Sequence, residues 1–296
     1  MFKTIVVGID GREGGRDALS LAARMALIAG GELVAVHAVP FDQFVGAPKL
    51  NTVAETEAER RLADELSAAG LTARIRVVAD GSPAHALHRI AAEECADLIV
   101  VGSTHHGAVG RVLAGDDAAA TLHGAGRPVA VAPHGLAARE WAPVTRIGVG
   151  LDAGPEATHA LTLAGALALD SGATIVLRAV VGDAEATIDA GDWLDRAKAA
   201  ADTRLREAIA NLPVEATGEV VVGQPVGELA DLSLSVDLLV VGSRAWGPVR
   251  RVVVGSTAAA LMRRSRCPVL VVPRGAREIQ PDRHGSRVEP EVATVA

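Results

Sequence analysis

The sequence predicts an α/β fold built from two doubly wound parallel sheets, each of five strands in the order 3-2-1-4-5 with helices on both faces. Two observations lead to this prediction. Short apolar runs that suit buried strands alternate with longer segments whose apolar residues recur at helical spacing. In addition, the string DLIVVGSTHHGAVGRVLAGD, which begins at Asp97, recurs as DLLVVGSRAWGPVRRVVVGS from Asp237, 140 residues later. The chain is therefore predicted to be a tandem repeat of two domains.

The first predicted domain, residues 1–134, alternates strand and helix throughout. Residues 4–9 form an apolar, β-branched run closed by Asp10 and Gly11, which is typical of a buried strand and its exit turn. The next helix presents an apolar face, with Asp17 away from it, and Gly30 and Gly31 end it. The later predicted elements are a strand 33–39, a helix 52–69, a strand 71–78, a helix 82–95, a strand 98–101, a helix after Gly115 and a strand 128–132.

The second predicted domain, residues 145–273, repeats this order after a linker at 135–144. Parallel strands need crossover connections, so the alternation places helices on both faces of each sheet. The tail 274–296 is polar, contains prolines and has no apolar period, so we expect it to be disordered. The predicted strands are 146–151, 174–180, 214–222, 238–241 and 268–272, with helices between them.

The last strand of each domain, 129–132 and 269–272, is short and apolar and would lie at a sheet edge. An exposed apolar edge strand invites pairing with another strand. We therefore expect the two domains to pair through these strands as an internal pseudo-dimer. Two chains are further expected to associate as a homo-oligomer.

The composition excludes several classes of function. Lys and Arg total 29 against 36 Asp and Glu, a net charge of −7, and aromatic residues make up 2% of the chain. Neither a positive field nor stacking platforms for nucleic acid are thus expected. No apolar run approaches the roughly 20 residues that span a bilayer, and the N-terminal segment does not resemble a signal peptide. The two cysteines, Cys95 and Cys267, stand at non-equivalent positions of the repeat, which fits a reducing compartment. We therefore expect a cytoplasmic protein that binds no membrane.

The candidate site lies where the loops after the first and fourth strands of each domain meet. Ligands of doubly wound sheets bind there, outside the carboxyl ends of the strands. In the second domain these loops hold Asp152 and Gly242, and a helix begins near Gly255, Ser256 and Thr257. The free N–H groups of a helix start suit phosphate. The alternative is that Ser256 or Thr257 simply caps this helix.

These strings resemble the universal stress protein family, whose phosphate-binding signature is Gly-x2-Gly-x9-Gly-[Ser/Thr]. Both domains also carry Val-Gly-x-Asp after the first strand and Pro-Val-x-Val at the last strand. Two substitutions depart from the signature in the first domain and one in the second. The signature positions are Gly102, His105, Gly115 and Asp116 in the first domain and Gly242, Ala245, Gly255 and Ser256 in the second.

This resemblance implies that the protein binds ATP, with or without Mg²⁺. It assigns ribose binding to Asp152 and adenine binding to Val180. At Gly242 and Ser243 the ligand would approach the backbone closely, and the phosphates are assigned to Gly255, Ser256 and Thr257. In the first domain Asp116 and Asp117 would repel a triphosphate by about 1 kcal/mol or more each at surface dielectric. The second domain is therefore predicted to be the chief ATP site. The weaker counterparts in the first domain are Asp10, Val39, Gly102 and Gly115.

Other motifs do not indicate a different chemistry. The three lysines follow no glycine-rich loop, which excludes a P-loop, and there is no Gly-x-Ser-x-Gly elbow. His85 and His88 share a helical face and His105 and His106 lie in a loop, but solvent-facing histidines are favoured over a metal site. Since no general base or nucleophile is apparent, the first hypothesis is regulatory nucleotide binding. The alternatives are a slow ATP hydrolase and an interaction scaffold that needs no nucleotide.

Overall fold

The computed structural model describes residues 1–40, 52–103, 116–182, 190–243 and 256–273. The loops 104–115 and 244–255, which carry Gly115 and Gly255, lie outside these residues, as does the predicted disordered tail 274–296.

The first repeat contains strands and helices in strict alternation, as the sequence predicts. Its elements are β1 (Thr4–Gly8), α1 (Glu13–Ala29), β2 (Glu32–Pro40), α2 (Thr52–Ala68), β3 (Arg74–Asp80), α3 (Pro83–Glu93), β4 (Leu98–Gly102), α4 (Asp116–Leu122) and β5 (Val129–Ala132).

The second repeat has the same order of elements. They are β6 (Arg146–Leu151), α5 (Pro155–Ser171), β7 (Thr174–Val181), α6 (Ala190–Ala210), β8 (Ala216–Val222), α7 (Pro225–Leu232), β9 (Leu238–Ser243), α8 (Ser256–Leu261) and β10 (Val269–Pro273).

The two repeats join in one ten-stranded sheet of order β3-β2-β1-β4-β5-β10-β9-β6-β7-β8. Within each repeat all pairs are parallel and follow the predicted order 3-2-1-4-5. The junction is antiparallel, with Leu270 of β10 opposite Ala130 of β5. The predicted internal pseudo-dimer is therefore confirmed. Because the last strands already pair with each other, the outer strands of the sheet are β3 and β8, and no further chain can add at β5 or β10.

Each face of the sheet carries its own hydrophobic core, and both cores run across the junction. Strand residues alternate between them, since successive side chains point to opposite faces. Val7 and Val149 belong to the core beneath α1 and α5, which also includes residues of α2 and α6. Val131 and Val269 belong to the core beneath α3, α4, α7 and α8. The repeats therefore share continuous apolar packing across the junction.

The third strand begins later than the sequence predicts. Residue Leu71 was assigned to a strand, but β3 starts at Arg74. Gly70, at φ 66°, and Leu71 instead donate their backbone N–H groups to Ser67 and Leu66 of α2. Such bonds satisfy the last carbonyls of a helix. The preceding helix also ends one residue earlier than predicted, at Ala68, and Ala69 is exposed.

A buried carboxylate joins α1 to the segment between the repeats. The sequence places Asp17 away from the apolar face of its helix, yet it is only 1% exposed. Its Oδ2 accepts a hydrogen bond of 2.8 Å from Gly135 N, and its Oδ1 accepts one of 2.7 Å from Ala137 N. Two backbone donors thus replace water around the carboxylate. Leu136, between these donors, is 2% exposed, so the predicted linker begins as part of the core.

None of the helices in the described part of the chain has the length and apolar character needed to cross a bilayer.

Replacing Asp17 with alanine should lower the free energy of unfolding by ~3 kcal/mol. The substitution removes the acceptor of two backbone N–H groups, and a hydrogen bond to a charged group contributes about 1.5–3 kcal/mol. Urea denaturation followed by circular dichroism measures the change. The matched control is His159→Ala at the equivalent position of α5, where the side chain is exposed. Equal losses in the two variants would contradict the role assigned to Asp17.

Candidate functional site

The first repeat has a crevice at the carboxyl ends of β1 and β4. These adjacent strands lead to helices on opposite faces of the sheet, so the chain leaves a gap between them, which is the usual ligand position in this fold. The crevice encloses about 170 Å³. Its described lining comes from the ends of β1, β2 and β4, the first turns of α1 and α3, and α4. Asp10, Val36, Ala38, Leu87, Ser103 and Asp117 are among the lining residues.

The predicted ribose aspartates shape the turns that follow the first strands. Asp10 Oδ1 accepts a hydrogen bond of 3.0 Å from Arg12 N, and Asp152 Oδ1 accepts one of 2.7 Å from Gly154 N. Both side chains belong to exposed residues at the same topological position. Each aspartate therefore fixes its own turn with one oxygen, and this arrangement directs the carboxylate to the mouth of the crevice.

Gly102 and Gly242 are required by packing between strand and helix. A Cβ on Gly102 would lie 1.9 Å from the carbonyl oxygen of Gly14 in α1. A Cβ on Gly242 would lie 2.7 Å from the backbone of Glu156 in α5. Real Cβ atoms do not approach backbone so closely, so only glycine fits. The sequence analysis assigned these glycines to ligand approach, and the structure gives them a second role that does not depend on a ligand.

A buried hydroxyl follows each of these glycines. Ser103 is 3% exposed and Ser243 is 1% exposed, and among the residues that the structure describes the Oγ of each has no hydrogen-bond partner. Buried hydroxyls are normally paired, so two equivalent unpaired ones need an explanation. Ser103 lines the first crevice. The sequence analysis named Ser243 for its backbone and missed Ser103, although both stand after the glycine of the repeated string.

Strand alternation decides which residue of β2 reaches the first crevice. The sequence predicts Val39, but Val39 packs against the core beneath α1. Ala38, one residue earlier, points to the opposite face and lines the crevice. In β7, Val180 lies two residues after Arg178, which contacts α7, so its side chain is on the α7 face of the sheet, the face that corresponds to that of Ala38.

The equivalent region of the second repeat, at the carboxyl ends of β6 and β9, is named the second crevice. The strand residue beneath it differs in charge from its counterpart in the first repeat. Val36 pairs with Gly8 in the first repeat, and Arg178 takes the same register opposite Gly150 in the second. The Arg178 guanidinium donates a hydrogen bond of 2.9 Å to the carbonyl of Glu228 in α7 and pairs with Glu219 of β8. In the second repeat, an arginine that contacts both a strand and a helix therefore occupies the position where the first repeat has an aliphatic side chain.

The first turns of α1 and α5 also differ. Gly14 of α1 lines the first crevice, and its counterpart in α5 is Glu156, which is 6% exposed. Glu156 Oε2 and Asp152 Oδ1 both lie within 3.0 Å of the position that a Cβ on Gly154 would occupy. Two carboxylates thus lie close together at the start of α5, and only one of the two equivalent positions in the first repeat is acidic. A residue-by-residue alignment of the two repeats would have revealed both this difference and that at Arg178.

The helices that follow the glycine-bearing loops start as predicted. Helix α4 begins at Asp116 and α8 begins at Ser256. Asp117 is exposed and lines the first crevice, whereas Thr257 at the equivalent position is half-buried. Of the predicted phosphate residues, Gly115 and Gly255 lie outside the described residues, as do the side chains of Asp116 and Ser256.

A half-buried carboxyl of α2, that of Glu65, lies near Asp10. Burial raises the pKa of Glu65 in α2, and the nearby Asp10 carboxylate raises it further, while Arg16 and His37 oppose the shift. Its Oε2 is buried without a hydrogen-bond partner. The sequence analysis did not single out Glu65, because nothing in the pattern of α2 distinguishes it from the other acidic residues of that helix.

The two histidines of α3 lie in different environments. His85 is exposed and its Nδ1 lies 2.9 Å from Asp80, whereas His88 is half-buried, so the prediction that both face solvent holds only for His85. Burial lowers the pKa of His88. No group of three or more metal-ligating side chains occurs among the residues that the structure describes. His105 and His106 lie outside those residues.

The two cysteines differ in environment. Burial raises the pKa of Cys267 to about 12, which keeps it a thiol. Cys95 is exposed and follows α3 with a positive φ of 50°.

Comparison with known proteins gives one family for both repeats. The family model described as "Universal stress protein family" matches residues 1–133 and again residues 143–273. The chain is 32% identical to a universal stress protein of Thermus aquaticus over 133 residues, which are 44% of this chain and 97% of that protein. It is 30% identical to a universal stress protein of Mycobacterium tuberculosis H37Rv over 186 residues, 60% of this chain and 61% of that protein.

Solved structures support the same fold at low sequence identity. A universal stress protein from Archaeoglobus fulgidus superposes with a TM-score of 0.66 at 20% identity, covering 92% of this chain and 98% of that one. A functionally unknown protein from Pseudomonas aeruginosa PAO1 gives a TM-score of 0.67 at 18% identity, covering 93% of each chain. The tandem architecture therefore recurs in other proteins.

Adding a methyl group at the strand-end glycines should destabilise the protein in a graded way. Gly102→Ala, with its Cβ 1.9 Å from a backbone oxygen, should cost ~3 kcal/mol or more, and Gly242→Ala, at 2.7 Å, should cost less. The free energy of unfolding, measured without any nucleotide, checks this order. Gly126→Ala is the control, since a Cβ there meets nothing within 4 Å. If neither variant loses stability without ligand, the packing role is wrong.

His88 should make the protein less stable in mild acid. Its folded pKa lies below its ordinary value of 6.5, so as the pH falls through 6.5 the unfolded chain binds a proton that the folded chain does not. Stability is then lost until the pH passes below the folded pKa. Urea midpoints at pH 8 and pH 5.5 should differ less in His88→Gln than in the unmodified protein. A matched control, His159→Gln at an exposed position of α5, should keep the original difference.

Proposed function

The chain belongs to the universal stress protein family, and from that premise we propose that this stress-response protein binds ATP, chiefly through its second repeat. It acts by regulation or by binding a partner rather than by chemistry. The proposal assigns the ribose to Asp152, the adenine to Val180, and the phosphates to the loop and helix start at Gly255, Ser256 and Thr257.

One observation carries the proposal: the equivalent buried hydroxyls of Ser103 and Ser243, at the topological switch point of each repeat, have no hydrogen-bond partner within the described part of the chain. A buried donor and acceptor that the protein leaves unpaired costs free energy unless another molecule pairs with it. A nucleotide in the crevice supplies such a partner. The adjacent aspartates at the mouth add acceptors for the hydroxyls of a sugar.

The preference for the second repeat rests on the start of α8. Backbone N–H groups and the hydroxyls of Ser256 and Thr257 are donors, and they carry no charge that opposes a phosphate. The corresponding residues of α4 are Asp116 and Asp117. Their carboxylates place negative charge at that end of the first crevice.

A Mg²⁺ ion would enter with the nucleotide. Mg²⁺ in such sites is usually held by phosphate oxygens and one or two carboxylates. Asp152 and Glu156 are the carboxylates that lie close together at the start of α5, so their chemistry fits this ion. The ion would neutralise part of the triphosphate charge and offset the repulsion from these carboxylates.

The described lining of the first crevice includes no lysine, cysteine or histidine that could act as nucleophile or general base. This favours nucleotide binding over hydrolysis. A slow ATP hydrolase would release phosphate from ATP, with loss of that release in Ser256→Ala. A scaffold without nucleotide would carry no adenine absorbance, and ATP would leave its Tm unchanged.

Replacing Thr257 with aspartate should weaken ATP binding about tenfold, which is ~1.4 kcal/mol. The new carboxylate copies Asp117 and repels the phosphates by about that much at surface dielectric. Isothermal titration calorimetry with MgATP measures the change.

The control for this variant is Thr203→Asp, which adds the same charge to an exposed position of α6. It should leave the Kd for ATP unchanged. The proposal is contradicted if ATP binds neither the unmodified protein nor the control, or if Thr257→Asp binds ATP as tightly as they do. Mass spectrometry of nucleotide released from freshly purified protein identifies the bound species.

A further inference from the structure

The first crevice has an apolar interior. Val36 and Leu87 are buried, at 1% and 5% exposed, and Ala38 and Val101 complete an aliphatic surface between β2, β4 and α3. Among the described residues no ion pair crosses this surface, in contrast to Arg178 and its partners in the second repeat. An aliphatic slot of this kind suits the flat face of a planar ring, whose burial is favourable by the hydrophobic effect.

Two polar groups border this surface. Ser103 Oγ is buried without a hydrogen-bond partner among the described residues and can both donate and accept. Asp10 uses Oδ1 for the turn at Arg12, which leaves Oδ2 as an acceptor at the mouth. A ligand that carries hydroxyl groups beside a planar ring would satisfy both residues.

The charge of the lining disfavours a polyphosphate. The described lining residues include two carboxylates, Asp10 and Asp117, and one guanidinium, that of Arg12. Asp117 stands at the end of the crevice where Thr257 stands in the second repeat. A triphosphate would place several negative charges beside this carboxylate, whereas an uncharged ligand would not.

We propose that the first crevice binds an uncharged purine nucleoside in preference to its triphosphate. The two repeats then bind different members of one ligand class, the nucleoside in the first and the phosphorylated form in the second. The choice of adenine as the base rests on the function proposed above. The preference against phosphate rests on the lining of the first crevice alone.

A matched pair of blocking variants separates the two crevices. Ala38 and Val180 occupy equivalent, half-buried positions of β2 and β7 on the crevice faces. Ala38→Trp fills the first crevice and Val180→Trp fills the second. Circular dichroism and Tm establish that each variant is folded. Isothermal titration calorimetry with adenosine and with MgATP is then carried out on the full chain.

The Val180→Trp protein should bind one adenosine, with a Kd at least tenfold below its Kd for ATP. The Ala38→Trp protein should lose this adenosine site and keep the ATP affinity of the unmodified chain. Adding Ser103→Ala to Val180→Trp should weaken adenosine binding about fivefold, because the unpaired hydroxyl no longer meets the ligand. If Val180→Trp binds ATP as tightly as adenosine, or binds no adenosine, the inference is overturned.

A third variant tests the effect of the negative charges at the start of α4 without introducing a tryptophan. Asp116→Ser combined with Asp117→Thr copies the start of α8 into the first repeat. In the otherwise unchanged chain it should raise the number of ATP sites from one to two, and an unchanged number would overturn the inference. Failure of the proposed function is distinguishable, because ATP would then bind neither the unmodified chain nor Ala38→Trp, whereas adenosine would still bind Val180→Trp.

Discussion

The antiparallel pairing of β5 with β10 is the interaction on which the rest of the structure depends. Each of these strands would be an apolar edge of a five-stranded sheet, and every residue of both is buried in the paired form. Pairing satisfies their backbone groups and removes two surfaces that invite aggregation. It also makes each hydrophobic core continuous across the repeats. The repeats consequently cannot separate without exposing the centre of the sheet.

This pairing frees the two crevices to diverge. Both lie outside the junction, at the carboxyl ends of β1 and β4 or of β6 and β9, so a change in one crevice leaves the shared core intact. The residues that differ, Val36 against Arg178 and Gly14 against Glu156, stand at positions that the fold makes equivalent. These differences give the two repeats unequal chemical surroundings at equivalent positions. The different ligands proposed for the two repeats follow from these differences in side chains.

The conserved geometry and the variable chemistry of the crevices have separate physical causes. Gly102 and Gly242 allow the first helix of each repeat to touch the end of a strand, and this contact shapes the crevice in the absence of a ligand. The side chains around it set the charge and polarity that a ligand meets. A glycine signature is therefore evidence for the shape of such a crevice, and the surrounding side chains decide which molecule enters it.

The sequence by itself determined the tandem repeat, the order of strands and helices, the strand order and the pairing of the last strands. These features follow from apolar periodicity and from short apolar edges, which are properties of contiguous residues. It also placed Asp10, Asp152, Gly102, Gly242 and Ser243 at the switch points. Only the tertiary structure decided that Asp17 is buried, that Ala38 rather than Val39 faces the crevice, and that Ser103 and Ser243 lack partners in the described part of the chain. Each of these depends on which atoms from distant parts of the chain come within hydrogen-bonding or van der Waals distance. The local sequence pattern does not determine those contacts.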